Sequence, residues 1–108
     1  MAREITRESD LQRAIRLAVG RSPDAVLWRN NVGFAAESRV RYGLCSGSSD
    51  LIGLSRTGRF LAIEIKAHGG RLTDEQTAFL DLVRRMGGVS GVARSVEDAM
   101  RLVEEACS

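Results

Sequence analysis

Apolar positions change period along the chain, and each change marks an element. Leu11, Ala14, Ile15, Ala18 and Val19 recur at helical spacing, so residues 7–20 are predicted as a helix that Gly20 stops. Arg21 to Asp24 holds the single proline, Pro23, and reads as a loop. Ala25-Val26-Leu27-Trp28-Arg29-Asn30-Asn31 reads as a strand running into polar residues, with Trp28 in the core. Residues 32–43 have weak periodicity and fit a loop or an irregular hairpin. The runs 49–55 and 60–66 flank Arg56-Thr57-Gly58-Arg59, a hairpin signal. Thr73 caps the next helix, and Gln76 at its third position completes a capping box. Phe79, Leu82, Val83 and Met86 are expected to form its buried stripe, and Gly87-Gly88 to end it. Val89 to Ala93 is a short strand. A last helix starts at Ser95-Val96-Glu97-Asp98 and turns Ala99, Met100, Val103 and Ala106 inward.

The helix between residues 66 and 89 joins two strands, which implies a crossover that adds a parallel strand. The expected fold is α/β, a mixed central sheet flanked by helices, in one domain spanning 1–108. A chain of 108 residues can bury a modest core.

Composition narrows the function classes little. The net charge is +2, and all but one of the sixteen basic residues are Arg. Arg is the better fork for phosphate oxygens, although genome composition gives the same bias. Cys45 and Cys107 belong to no zinc-binding spacing and suit free thiols in a reducing compartment. The start Met1-Ala2-Arg3-Glu4 lacks the apolar run of a signal peptide, and no stretch reaches the length of a membrane span. A cytoplasmic protein with no membrane partner is therefore expected. The Ser/Gly loop 44–49 lacks the phosphate-cradle pattern and precedes a strand, which excludes a P-loop.

The chemistry concentrates in the central hairpin. In Ile63-Glu64-Ile65-Lys66, alternation turns Glu64 and Lys66 to one face and the two isoleucines to the other. Charge inside an apolar strand is costly unless it is paired or bound to metal. Antiparallel pairing about the turn brings Asp50 to the same end of the hairpin as Glu64. Two facing carboxylates repel unless a cation lies between them, and Mg²⁺ typically uses one or two carboxylates beside water and phosphate. Lys66 adds a positive charge able to support negative charge developing on a phosphate. The competing reading is a partly buried ion pair of Lys66 with Glu64 or Asp50. Glu8 is either a first-turn acid favoured by the helix dipole or a third acid of the site. Arg39 and Arg41 share a face if extended, as a solvated edge or a phosphate-contacting arm. Asn30 and Asn31 contact DNA or satisfy backbone groups. His68, alone in a Gly-rich turn, is a weak candidate for a general base.

Asp50 followed by Glu64-Ile65-Lys66 resembles the D…(D/E)xK signature of the restriction-endonuclease-like nucleases. The blocks 28–33, 43–44, 47–53, 58–66 and 70–76 together resemble the VRR-NUC domain family in its stand-alone phage or bacterial form. The resemblance implies a restriction-endonuclease-like α-β-β-β-α-β core and a Mg²⁺- or Mn²⁺-dependent endonuclease acting on DNA. By position it implies Asp50 and Glu64 as metal ligands, with the backbone carbonyl of Ile65. Lys66 takes the place of the catalytic lysine, and Glu8 and Gln76 complete the catalytic set. Arg29, Asn31, Arg39, Arg41, Ser48 and Ser49 are the expected DNA contacts. Relatives similar to Holliday-junction resolvases imply a homodimer cutting branched DNA. A flap nuclease and a non-catalytic DNA-binding module are the alternatives.

Overall fold

A computed structural model of the protein describes residues 7–108. Helix α1 (Glu8–Gly20) leads into β1 (Ala25–Arg29), followed by a small hairpin of β2 (Gly33–Ala35) and β3 (Val40–Tyr42). Strands β4 (Leu51–Ser55) and β5 (Phe60–Ile65), helix α2 (Asp74–Arg85), β6 (Val89–Ala93) and α3 (Val96–Ala106) complete the chain. The main sheet has the order β1-β4-β5-β6. Its first three strands are antiparallel neighbours, and β6 runs parallel to β5. With the β2–β3 hairpin set aside as a separate ribbon, α1-β1-β4-β5-α2-β6 is the expected α-β-β-β-α-β core, a mixed α/β sheet flanked by helices.

Strand alternation divides the core into two layers. Leu51, Leu61, Ile63, Ile65, Val89 and Ala93 face one side. There they pack against Leu11, Ile15 and Val19 of α1 and Ala99, Val103 and Ala106 of α3. The other face holds Ala62 beneath Leu80 and Val83 of α2, with Phe79, Leu72 and Val92 packed around them. The capping box at the start of α2 forms as expected: Gln76 N–H donates to Thr73 Oγ1 at 3.1 Å, and Thr73 N–H donates to Gln76 Oε1 at 2.9 Å.

Four expectations change. The expected α2 stripe is rotated, with Leu80 and Val83 inside and Met86 79% exposed beside a largely exposed Leu82. Helix α2 packs on β5 and β6, while Val26, Trp28 and Leu54 on the outer face of β1 and β4 are exposed. Trp28 is 51% exposed on that face rather than in the core. Strand β1 ends at Arg29, leaving Asn30 and Asn31 in the following loop. Residues 32–43 contain the irregular hairpin, but Arg39 sits in its turn with φ of 55°, outside β3. Arg39 and Arg41 therefore do not form a shared strand face.

Candidate active site

The carboxyl ends of β1, β5 and β6 and the start of β4 lie at one end of the sheet, as the strand directions require. Leu51 pairs with Ile63, so continuing the register sets Asp50 opposite Glu64. Four hydrogen bonds hold the Asp50 segment there. Ile65 N–H donates to Asp50 Oδ2 at 2.8 Å, and Asn30 N–H donates to Asp50 O at 2.8 Å. The Asn30 side-chain amide donates to both Ser48 Oγ and Ser49 O, each at 2.8 Å. Upstream, Gly47 has φ of 84°, and a Cβ there would meet backbone atoms of Glu75 at 2.7 Å. Glycine thus allows the loop to close against the start of α2.

Glu64 is 2% exposed, and its Oε2 has no hydrogen-bond partner among the described residues. Burial pushes its carboxyl up to about 9. The facing Asp50 adds to this as a hydrogen-bond acceptor for the protonated acid and as a negative charge, while Lys66 opposes it. No ion pair forms between Lys66 and Glu64 or Asp50. The ion pairs among the described residues are Arg56–Asp24, Arg84–Glu105 and Arg101–Asp98. The competing ion-pair reading of the Glu64-x-Lys66 motif is therefore not what the fold contains. Lys66 is half-buried, and its N–H donates to Ala93 O at 3.2 Å.

Glu8 comes to the same end of the sheet, where its Oε1 accepts from Ala67 N–H at 3.4 Å. Gln76 does not join the acids by any hydrogen bond; its side-chain carbonyl serves the capping box. His68 is exposed. Of the expected DNA contacts, Arg29, Asn31, Arg39 and Arg41 are exposed and Ser48 is half-buried. Ser49 is fully buried, and its hydroxyl donates to Leu51 O at 2.8 Å. It orders the backbone beside Asp50, and its burial removes it from direct DNA contact.

Of two supporting residues, the sequence reading left one with two roles open and missed the other. Asn30 serves the backbone of the Asp50 loop, the second of the two roles open to it. Arg94, at the end of β6, donates to Ala67 O at 3.0 Å and Gly70 O at 2.6 Å, bracing the turn after Lys66. An Arg just beyond a strand end is the only signal for it, and its partners lie 24 and 27 residues away.

A divalent cation fits the donor set. Two carboxylates face each other, one oxygen is buried without a partner, and hard cations take oxygen ligands. Among the described residues no three His, Cys, Asp or Glu side chains converge on one point, so side chains alone offer two acids. Two is the usual number for Mg²⁺, which retains water and phosphate ligands. No described helix is long and apolar enough to cross a membrane.

No curated protein matches the chain. The family model described as the VRR-NUC domain matches residues 33–97, from β2 into the first turn of α3. The match contains Asp50, Glu64, Lys66 and Gln76, whereas Glu8 and Arg29 precede it. With more than half of its residues inside that match, the chain belongs to the VRR-NUC domain family, a nuclease-type domain.

Proposed function

We propose that the protein is a divalent-metal-dependent DNA endonuclease, with its reacting phosphate bound where Asp50 and Glu64 meet. One observation carries the proposal: a buried carboxylate faces a second carboxylate and leaves an oxygen without a partner. A buried acid in that state destabilises the fold unless it is protonated or meets a cation. Asp50, Glu64 and the carbonyl of Ile65 would hold Mg²⁺ or Mn²⁺. The bound ion would neutralise the acids and supply Lewis-acid stabilisation of charge on the phosphate.

The chain's own residues have separate tasks. Hydrolysis joins a water oxygen to phosphorus, breaks one P–O ester bond and delivers a proton to the leaving oxygen. Negative charge grows on the phosphate oxygens at the transition state. The Lys66 ammonium, unpaired among the described residues, stabilises that charge. Ile65 N–H fixes the rotamer of Asp50, so this acid needs no reorganisation when substrate arrives. Glu8, held at Ala67 N–H, adds a third negative charge at the rim. Gln76 acts through α2, whose first turn it caps and so holds beside the loop that carries Asp50.

The finer reading follows the resemblance to junction resolvases: a homodimer would present two sites for paired cuts on branched DNA. Cleavage of duplex, flap and four-way-junction DNA with Mg²⁺ and Mn²⁺ tests both levels. Metal-dependent nicks are expected, fastest on the junction, and Lys66→Ala should slow them by about 10²–10³-fold. Cleavage that is indifferent to chelator or to Lys66→Ala would remove the assigned roles. A flap preference would retain the chemistry and replace the substrate.

A further inference from the structure

An open cleft of about 360 Å³ begins at Asp50 and Ile65 and extends along α1. Its lining is divided by charge. Glu8 and Asp50 supply the acidic part, and Arg13, Arg16 and Arg29 the basic part. None of the three arginines has an ion pair or side-chain hydrogen bond among the described residues. Arg13 lies three residues after Asp10, within reach of an intrahelical pair, yet that pair does not form. Three guanidinium groups share one concavity, and none is paired with its acids among the described residues.

The helix period explains how they come together. Leu11, Ile15 and Val19 form the buried line of α1. Glu8, Gln12, Arg13 and Arg16 fall on an adjoining polar line at helical spacing. Arg29 arrives from the other wall, at the end of β1, where it pairs with Leu51 beside Asp50. By helical rise, Arg13 and Arg16 lie about 7.5 and about 12 Å along α1 from Glu8. That span accommodates roughly three nucleotides of one strand at about 3.4 Å rise each.

We infer that this cleft is the track for the cleaved strand's phosphates. Arg29 binds next to the reacting phosphate, and Arg13 and Arg16 bind those that follow along α1. The inference rests on the proposed nuclease function and adds a direction to it: the strand leaves the acids along α1, away from the β2–β3 ribbon that carries Arg41. Guanidinium forks suit phosphate oxygens, which they bind bidentately. The same chemistry would accept free pyrophosphate, so pyrophosphate serves as a competitor.

The test measures binding of a fluorescent oligonucleotide in Ca²⁺ across a salt series, for the full chain and for Arg13→Ala/Arg16→Ala. A control, Arg85→Ala/Arg101→Ala, removes the same charge from residues outside the cleft. Circular dichroism confirms that each variant folds. The expected result is at least about a tenfold loss of affinity for the cleft variant, with a log–log salt slope shallower by about 2. The control retains the wild-type slope, and pyrophosphate displaces the oligonucleotide from wild type. A cleft variant with wild-type affinity and slope, in a protein that still binds and cuts DNA, overturns the track and leaves the nuclease reading intact. A wild-type protein that neither binds nor cuts DNA overturns both. Equal losses in the cleft variant and the control reduce the effect to net charge and also overturn the track.

Discussion

Two groups of charged side chains lie against the main sheet, and they are built in opposite ways. At the α2–α3 side, Arg84 donates to both oxygens of Glu105 and to Ser90 O, across the end of β6. The hydrogen bond to Arg84 holds the Glu105 carboxyl below the usual carboxylate range. Both side chains remain about half exposed. At the far end of β5, Glu64 is buried, faces another acid and leaves an oxygen unmatched. The first group ties helices together. The second leaves a buried oxygen without a partner among the described residues, and the proposed function would give it a cation and a phosphate to meet. In this small domain the difference between structural and chemical charge lies in whether the charges find partners within the chain.

The largest effect should follow from removing the second group's function. Glu64→Gln and Lys66→Ala are each expected to lower metal-dependent cleavage by about 10²–10³-fold, as loss of a transition-state charge contact does. Both should retain a folded circular dichroism spectrum. Loss of structure in Glu64→Gln would instead place Glu64 with the structural charges.

The next effect concerns pH in the metal-free protein. The Glu64 carboxyl sits at about 9 in the folded chain, against an ordinary value of about 4.5. Between these values the folded state holds the proton and the unfolded state has lost it. Stability is therefore highest below about 4.5 and falls as pH rises toward 9. With chelator present, this one site contributes a slope approaching about 1.4 kcal/mol per pH unit. Urea unfolding from pH 5 to pH 8.5 measures it, with Glu64→Gln as reference. The variant should lose this contribution, and an unchanged pH dependence would mean that Glu64 ionises alike in the folded and the unfolded chain.

Smaller effects sharpen the contrast. Asn30→Ala leaves Ser49 O without its side-chain donor and should cost about 1–3 kcal/mol in denaturant unfolding. It should also slow cleavage, because the Asp50 loop loses its side-chain ties to the segment after β1. Glu105→Ala should cost under about 1 kcal/mol, since its pair is exposed and screened by salt. Cleavage by Glu105→Ala should equal that of wild type.

The fold was legible wherever its cause was local. The α1 stripe, the turn at Gly58 and the Thr73–Gln76 capping box depend on residues a few positions apart, and each formed. The pairing of Asp50 with Glu64 was legible as well, because a hairpin register follows from its turn. Trp28 and Met86 were not legible, because their exposure depends on how much of the sheet α2 covers. A strand pattern does not record whether a second layer lies above it. Ser49 was given a different role, and the two roles of Asn30 stayed open, for a related reason: Asn30 meets its partners 18 and 19 residues away. The arginines of α1 formed a visible helical line, but their meaning depends on the wall that β1 supplies at Arg29.

The most direct measurement is the stability of the protein at pH 7.5 as Mn²⁺ or Mg²⁺ is added, compared with Glu64→Gln. The metal-free variant is expected to be more stable than metal-free wild type, because at this pH wild type loses the Glu64 proton on unfolding and the variant has no such proton to lose. Wild type should gain stability as metal rises through the range that supports cleavage, while the variant does not respond. A wild-type protein indifferent to metal, with a variant less stable than it, would contradict the claim that Asp50 and Glu64 meet in order to hold a cation.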